Sequence, residues 1–141
     1  HMTLANKVNK PVIVHVRDAY QDTIDMLSSF KENIRGVIHC FSGTWEDARK
    51  FLDMGFFISF AGPVTFRKND ELREIVRKIP GNRILCETDA PFLSPHPKRG
   101  KLNEPSYVEY VYAVIAKVRE LTTEDLTKQI WINSCELFGW E

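Results

Sequence analysis

The chain has 141 residues, 43% of them hydrophobic and 27% charged, which suits about one domain with its own core and excludes a disordered or fibrous polypeptide. Lys and Arg total 19, as do Asp and Glu, so no overall positive field draws the chain onto nucleic acid or an anionic membrane, and any phosphate binding has to be local. No apolar run approaches the ~20 residues of a membrane span and no signal peptide opens the chain, while Cys40, Cys86 and Cys135 lack Cys-x-x-Cys spacing; the expectation is inert, reduced thiols in a cytoplasmic protein with no membrane partner.

His1-Met2 reads as a cloning remnant, and the domain is taken as residues 3–141. The opening Thr3 to Val8 reads as the tail of a helix, because Leu4 and Val8 fall four apart and Pro11 then forces an extended chain. A first strand is predicted at Val12 to Val16, followed by a helix from Ala19 to Phe30 with Ile24, Leu27 and Phe30 on one face. The second strand is Val37 to Cys40. Thr44 with Asp47 forms a capping box for a helix through Phe51 and Leu52 that stops at Gly55. The third strand is Phe56 to Phe60. A helix at Glu71 to Lys78, closed by Pro80-Gly81, leads to the fourth strand at Ile84 to Glu87.

After the fourth strand the texture changes. Pro91, Pro95, Pro97 and Pro105 fall in one stretch with His96, Lys98, Arg99, Gly100, Lys101 and Asn103, which makes it a long loop at the end of the sheet where Asp89 lies. A helix is predicted from Pro105 to Glu120 with Val108, Tyr112, Ile115 and Val118 inward. Two short helices are expected at the end, Thr123 to Ile132 and Asn133 to Phe138, the second capped by Asn133 and Glu136.

Three of the short strands end near metal-type ligands, His15, His39 and Asp89. Separate strand ends hold such groups rigidly around one point, as a hydrolase on a parallel α/β scaffold requires. Alternation puts Ile13, His15 and Arg17 on one face, and Leu85, Glu87 and Asp89 together on theirs. Two close carboxylates repel and lose hydration unless a cation or basic partner lies between them. A divalent ion meets that need, and imidazole with carboxylate suits Zn²⁺, Mn²⁺ or Mg²⁺. Phe41, Phe66 and Phe92 lie near strand ends and are candidates for stacking on bases, with core packing as the alternative.

At these residues the chain resembles the TatD family of metal-dependent deoxyribonucleases. Pro11-Val-Ile-Val-His-Val-Arg-Asp18, His39-Cys-Phe-Ser-Gly43, Glu87-Thr-Asp-Ala-Pro91, the segment from Pro97 to Pro105 and the ending Leu137-Phe138-Gly139 match its pattern in order. The resemblance implies a TIM-type (β/α)₈ barrel of the amidohydrolase-like kind. It implies that His15, His39 and Asp89 bind metal and that Asp89 and Glu87 are catalytic. Arg17, Arg99 and Asn103 are implied for substrate phosphate or for ordering the loop. The family's opening His-x-His pair and fourth-strand glutamate have no counterpart here. A barrel of this type takes about 250 residues, so the chain matches the C-terminal half, strands five to eight.

The expected function is part of a metal-dependent hydrolase acting on the phosphodiester bonds of DNA, single-stranded or at ends, with the isolated chain inactive or feebly active. The expected partners are a second copy of the chain or a complementary N-terminal half. The alternatives are a non-catalytic half-barrel assembly module, or a hydrolase of another ester or amide.

Overall fold

The computed structural model describes residues 1–30 and 34–140; residues 31–33 and 141, part of the expected domain 3–141, lie outside the described residues. The elements run α1 (Met2–Lys7), β1 (Val12–His15), α2 (Tyr20–Ser29), β2 (Gly36–His39), α3 (Trp45–Asp53), β3 (Phe57–Phe60), α4 (Asp70–Lys78), β4 (Ile84–Cys86), α5 (Val108–Val118) and α6 (Thr123–Phe138). The strands form one parallel sheet in the order β1-β2-β3-β4. Each connection between neighbouring strands carries a helix, as parallel pairing demands.

The register fixes which side chains share a face. Val14 pairs with Ile38, Ile38 with Ile58 and Ile58 with Ile84. Ile38, Ile58 and Ile84 are wholly buried, in one cluster with Ile24 and Leu27 of α2, Phe51 of α3, Val76 of α4 and Ile115 of α5. The opposite face carries Ile13, Val37 and Phe57 in one register row and His15, His39, Ser59 and Leu85 in the next. That face is only partly covered. Val37, Ser59 and Leu85 line a depression of about 210 Å³ with Ser134 and Phe138 of α6, while Ile13 on β1 is 65% exposed.

Local chemistry explains the boundaries. Thr44 and Asp47 form the reciprocal capping box that starts α3, and Gly55, at φ +84°, follows its end. β1, β2 and β4 stop one residue earlier than predicted, at His15, His39 and Cys86. The chain then turns sharply: Asp18, Cys40 and Asp89 all take left-handed φ angles, 53°, 45° and 57°. Non-glycine residues rarely adopt that conformation, and when they do they cluster at functional sites. Glu87 and Asp89 are thus delivered from the bend beyond β4.

Two helix expectations are corrected. Pro105–Tyr107 form a 3-10 turn ahead of α5, whose buried face is Val111, Ile115, Ala116 and Val118, with Val108 and Tyr112 only half-buried. The two short terminal helices are one continuous α6 of 16 residues. Asn133 does not cap a helix there. Fully buried, its amide donates to Gly81 O (2.8 Å) and Ile84 O (2.7 Å) and accepts from Gln129 Nε2 (2.9 Å), while Glu136 pairs with Arg83 at 2.8 Å. With its side chain committed to β4 and the turn before it, Asn133 cannot compete for the backbone of its own helix. No helix among the described residues is long and apolar enough to cross a membrane.

Candidate active site

The site is built from the C-terminal ends of β1, β2 and β4. His15 and His39 are register partners, and their rings stand 5.6 Å apart, tilted by 40°. His39 lies between the two carboxylates of the fourth-strand motif. Its Nδ1 is paired with Glu87 Oε2, and its Nε2 faces Asp89 Oδ1 at 3.2 Å. Glu87 is held from the other side too, because its Oε1 accepts the Cys40 backbone N–H at 2.8 Å. The left-handed turn at Cys40 aims that N–H, and no sequence signal pointed to it.

These contacts assign separate duties to two carboxylates that sequence alternation could only place side by side. Glu87 spends both oxygens on His39 and Cys40, which makes it a positioning group for the imidazole. Asp89 has one oxygen toward His39 and is otherwise open to the site. Burial, and then the charges of Glu87 and Asp89, push the Cys40 thiol up to about 12. Burial and Glu87 raise the Cys86 thiol as well. Neither sulfur is a ready thiolate, as expected of inert thiols.

The fit of a metal ion is tested by donor geometry. Two donors each about 2.1 Å from one ion, at angles of about 90–110°, lie about 3.0–3.4 Å apart. The separation of His39 Nε2 and Asp89 Oδ1, 3.2 Å, falls in that range. With Nδ1 given to Glu87, the Nε2 lone pair is the one available to an ion. His15 is the neighbouring imidazole. Among the described residues, however, no group of three or more His, Cys, Asp or Glu is arranged to hold a metal. The residues fit an ion as a two-donor set, with further positions left to water, substrate or other protein groups.

The looser candidates separate clearly. Arg17 is exposed just past β1 and makes no hydrogen bond or ion pair among the described residues. Arg99 is exposed, with its guanidinium carbon over Phe66, 3.8 Å from the ring centre. Asn103 is not available to a phosphate: it is buried, and its amide donates to Thr88 O (2.7 Å) and Phe92 O (2.5 Å). Of the two duties weighed for it, Asn103 performs loop ordering. Phe41 is 1% exposed and packs edge-on against Tyr20 and Phe60, so it is a core residue rather than a base-stacking one. Sequence reasoning passed over Gly62 and Thr65. Both anchor the loop beside the site, and only the lone glycine before Pro63 hinted at a close backbone approach.

A parallel α/β sheet that presents imidazoles and a carboxylate at its strand ends is a scaffold on which metal-dependent hydrolases are built. The sequence model of the family described as TatD related DNase matches residues 1–139. The chain belongs to the TatD family of metal-dependent hydrolases. It is 46% identical over 138 residues to the uncharacterized metal-dependent hydrolase YabD of Bacillus subtilis, covering 97% of this chain and 54% of that protein. With the 3'-5' ssDNA/RNA exonuclease TatD of Klebsiella pneumoniae it shares 38% identity over 144 residues, covering 98% of this chain and 55% of the relative. The crystal structure of YjjV, a TatD homolog from Escherichia coli, superposes with a TM-score of 0.91 at 27% identity, covering 98% of this chain and 53% of that one. The chain spans about half the length of the curated relatives it matches.

Proposed function

We propose that this chain supplies one side of a divalent-metal site that hydrolyses phosphodiester bonds of DNA, single-stranded or at ends, on a half-barrel corresponding to strands five to eight of a TIM-type barrel. The observation that carries the reading is His39, gripped by Glu87 through Nδ1 with Nε2 facing Asp89. His39 and Asp89 would hold the ion as two donors, and His15 would join as a third ligand once the sheet is closed; Mg²⁺, Mn²⁺ and Zn²⁺ all accept such donors. When bound, the ion polarises the phosphoryl oxygen and lowers the pKa of water. Asp89, open on the side away from His39, accepts the proton of the attacking water. Glu87 keeps His39 in the tautomer that leaves Nε2 free. Arg17 and Arg99 have no carboxylate partner among the described residues and neutralise charge on the phosphate.

The nucleic-acid substrate is supported by the name of the Klebsiella relative, a 3'-5' ssDNA/RNA exonuclease. The half-barrel is supported by two sheet edges, β1 and β4, each with one neighbour, and by the hollow of about 590 Å³ along β1 that exposes Ile13 and His15. A second copy of the chain or a complementary N-terminal half closes the sheet, and the unpaired cysteines suit the cytoplasm. The test is cleavage of end-labelled single-stranded DNA with Mg²⁺, with Mn²⁺ and with chelator, beside a His39→Ala variant and a sedimentation measurement of mass. Feeble metal-dependent cleavage, lost in the variant, is expected. Cleavage unchanged by His39→Ala, or turnover confined to other esters and amides, overturns the reading.

A further inference from the structure

We infer that the loop of residues 91–103 is a preformed clamp for a single nucleic-acid strand, with Phe92 seating a base and Arg99 and Lys101 taking the flanking phosphates. The inference rests on the nucleic-acid reading above and adds a binding site to it.

The loop is pinned at many points. Its approach to the turn after β3 is so close that a Cβ on Gly62 would lie 1.8 Å from Leu93 O. The His96 N–H donates to Thr65 Oγ1 at 2.8 Å, and Ser94 Oγ donates to Lys101 O at 2.5 Å. The two arms are tied where Asn103 N donates to Pro91 O (3.1 Å) and the Asn103 amide to Phe92 O. The Phe92 N–H donates back to Asp89 O at 2.9 Å, which joins this platform directly to the metal-ligand turn. A segment so tied has already lost the freedom that ordering on a ligand would cost.

Such a rigid loop still leaves its large apolar side chains in water: Phe92 is 68% exposed and Leu102, next to the tie at Asn103, is 73% exposed. Of the three phenylalanines near the strand ends, Phe41 is buried and Phe66 is covered by Arg99, so Phe92 has the free face. The same loop carries three cations. Arg99, Gly100 and Lys101 line a recess of about 270 Å³ with Pro91, and Lys98 sits over Tyr107 at 5.1 Å. None of these three basic residues has a carboxylate partner among the described residues. The contact of Arg99 with the Phe66 ring holds the guanidinium in place and leaves its N–H groups unspent, ready to grip a phosphate. An exposed aromatic face and unpaired cations on one rigid loop are the chemistry that binds a single strand without reading its sequence. A neutral protein then holds its substrate through one local patch.

The test is fluorescence anisotropy of a labelled oligothymidylate with the whole chain in chelator, so that no strand is cut. Phe92→Ala is expected to weaken binding about ten-fold or more, with Phe92→Trp close to the parent. Arg99→Gln and Lys101→Gln are each expected to flatten the salt dependence. An abasic strand is expected to bind parent and Phe92→Ala alike. Equal affinity of parent and Phe92→Ala for the base-bearing strand overturns the clamp and leaves the nuclease reading standing. A Phe92→Ala variant that changes sedimentation mass but not strand affinity also overturns it, by giving Phe92 to a protein interface. If the parent binds no strand, the clamp falls; cleavage of the same strand with metal then shows that only the clamp has failed, and absence of cleavage that the nuclease reading has failed with it.

Discussion

Replacing Glu87 by Gln preserves shape but removes the negative charge and, with it, the ability to accept two hydrogen bonds at once. In the parent, Oε1 takes the Cys40 N–H and Oε2 takes His39 Nδ1. An amide has one oxygen for these two donors, so whichever way it turns, its NH₂ meets an N–H. A lost hydrogen bond to a charged group is worth about 1.5–3 kcal/mol, and His39 escapes the clash by moving its proton to Nε2 and offering Nδ1 as acceptor. That tautomer has no lone pair where Asp89 stands. The expected consequence is metal affinity lower by about 10- to 100-fold, the usual size of a change in the groups that orient a ligand. Mn²⁺ binding followed by electron paramagnetic resonance at neutral pH reads this directly, with circular dichroism as the control for folding. Affinity within about two-fold of the parent, in a variant folded as well as the parent, would refute the assignment of Glu87 as the group that orients His39.

Other expectations concern the frame that holds the site. Asn133→Ala leaves Gly81 O and Ile84 O without their donor in a fully buried place, and is expected to cost about 2–4 kcal/mol in urea unfolding; Asn133→Asp, which points oxygen at both carbonyls, is expected to cost more. Gly62→Ala forces the loop from β3 because of the clash with Leu93 O, and is expected to weaken strand binding by more than it lowers the melting temperature would suggest. Tyr112 is pushed up to about 12, mainly by burial and secondarily by Cys86. The raised phenol contributes stability that is whole below about pH 10, the unfolded value, and is lost as pH climbs to about 12. Tyrosinate absorbance should therefore show one late group, coinciding with the onset of alkaline unfolding.

The strand pattern and its consequences were legible in the sequence because alternation is a strict geometric rule. Once Ile13 and His15 share a face, the parallel register carries Val37 and His39 onto the same one, whereas Glu87 and Asp89 lie past the end of β4 and are placed by the bend. What alternation cannot show is the division of labour within that face. The difference between Glu87 and Asp89 rests on a backbone N–H at Cys40, and hence on a left-handed turn whose residue carries no mark of it. Asn133 misled for a related reason. Asn with Glu three residues on is a local capping signal, and a contact with β4 some fifty residues away overrode it. The proline-rich loop showed its position but not its rigidity, since Gly62, Thr65 and Asn103 fix it from three separate parts of the chain.

The site and the sheet are open on the same side, and the two facts have one geometric origin. The layer that carries His15, His39 and Glu87 belongs to the sheet face that the α2 to α5 core does not cover. Ile13, in the row beneath His15, is left in water. A donor set that stops at two and a sheet that stops at β1 both call for groups arriving across that face. Strands added at the β1 edge would cover Ile13 and bring side chains toward His15 from the direction in which the ion lacks ligands. Closure of the sheet and completion of the metal site are therefore one event in the proposed assembly. Metal should promote association, and association should tighten metal, by the same factor, because coupling between two binding equilibria is reciprocal.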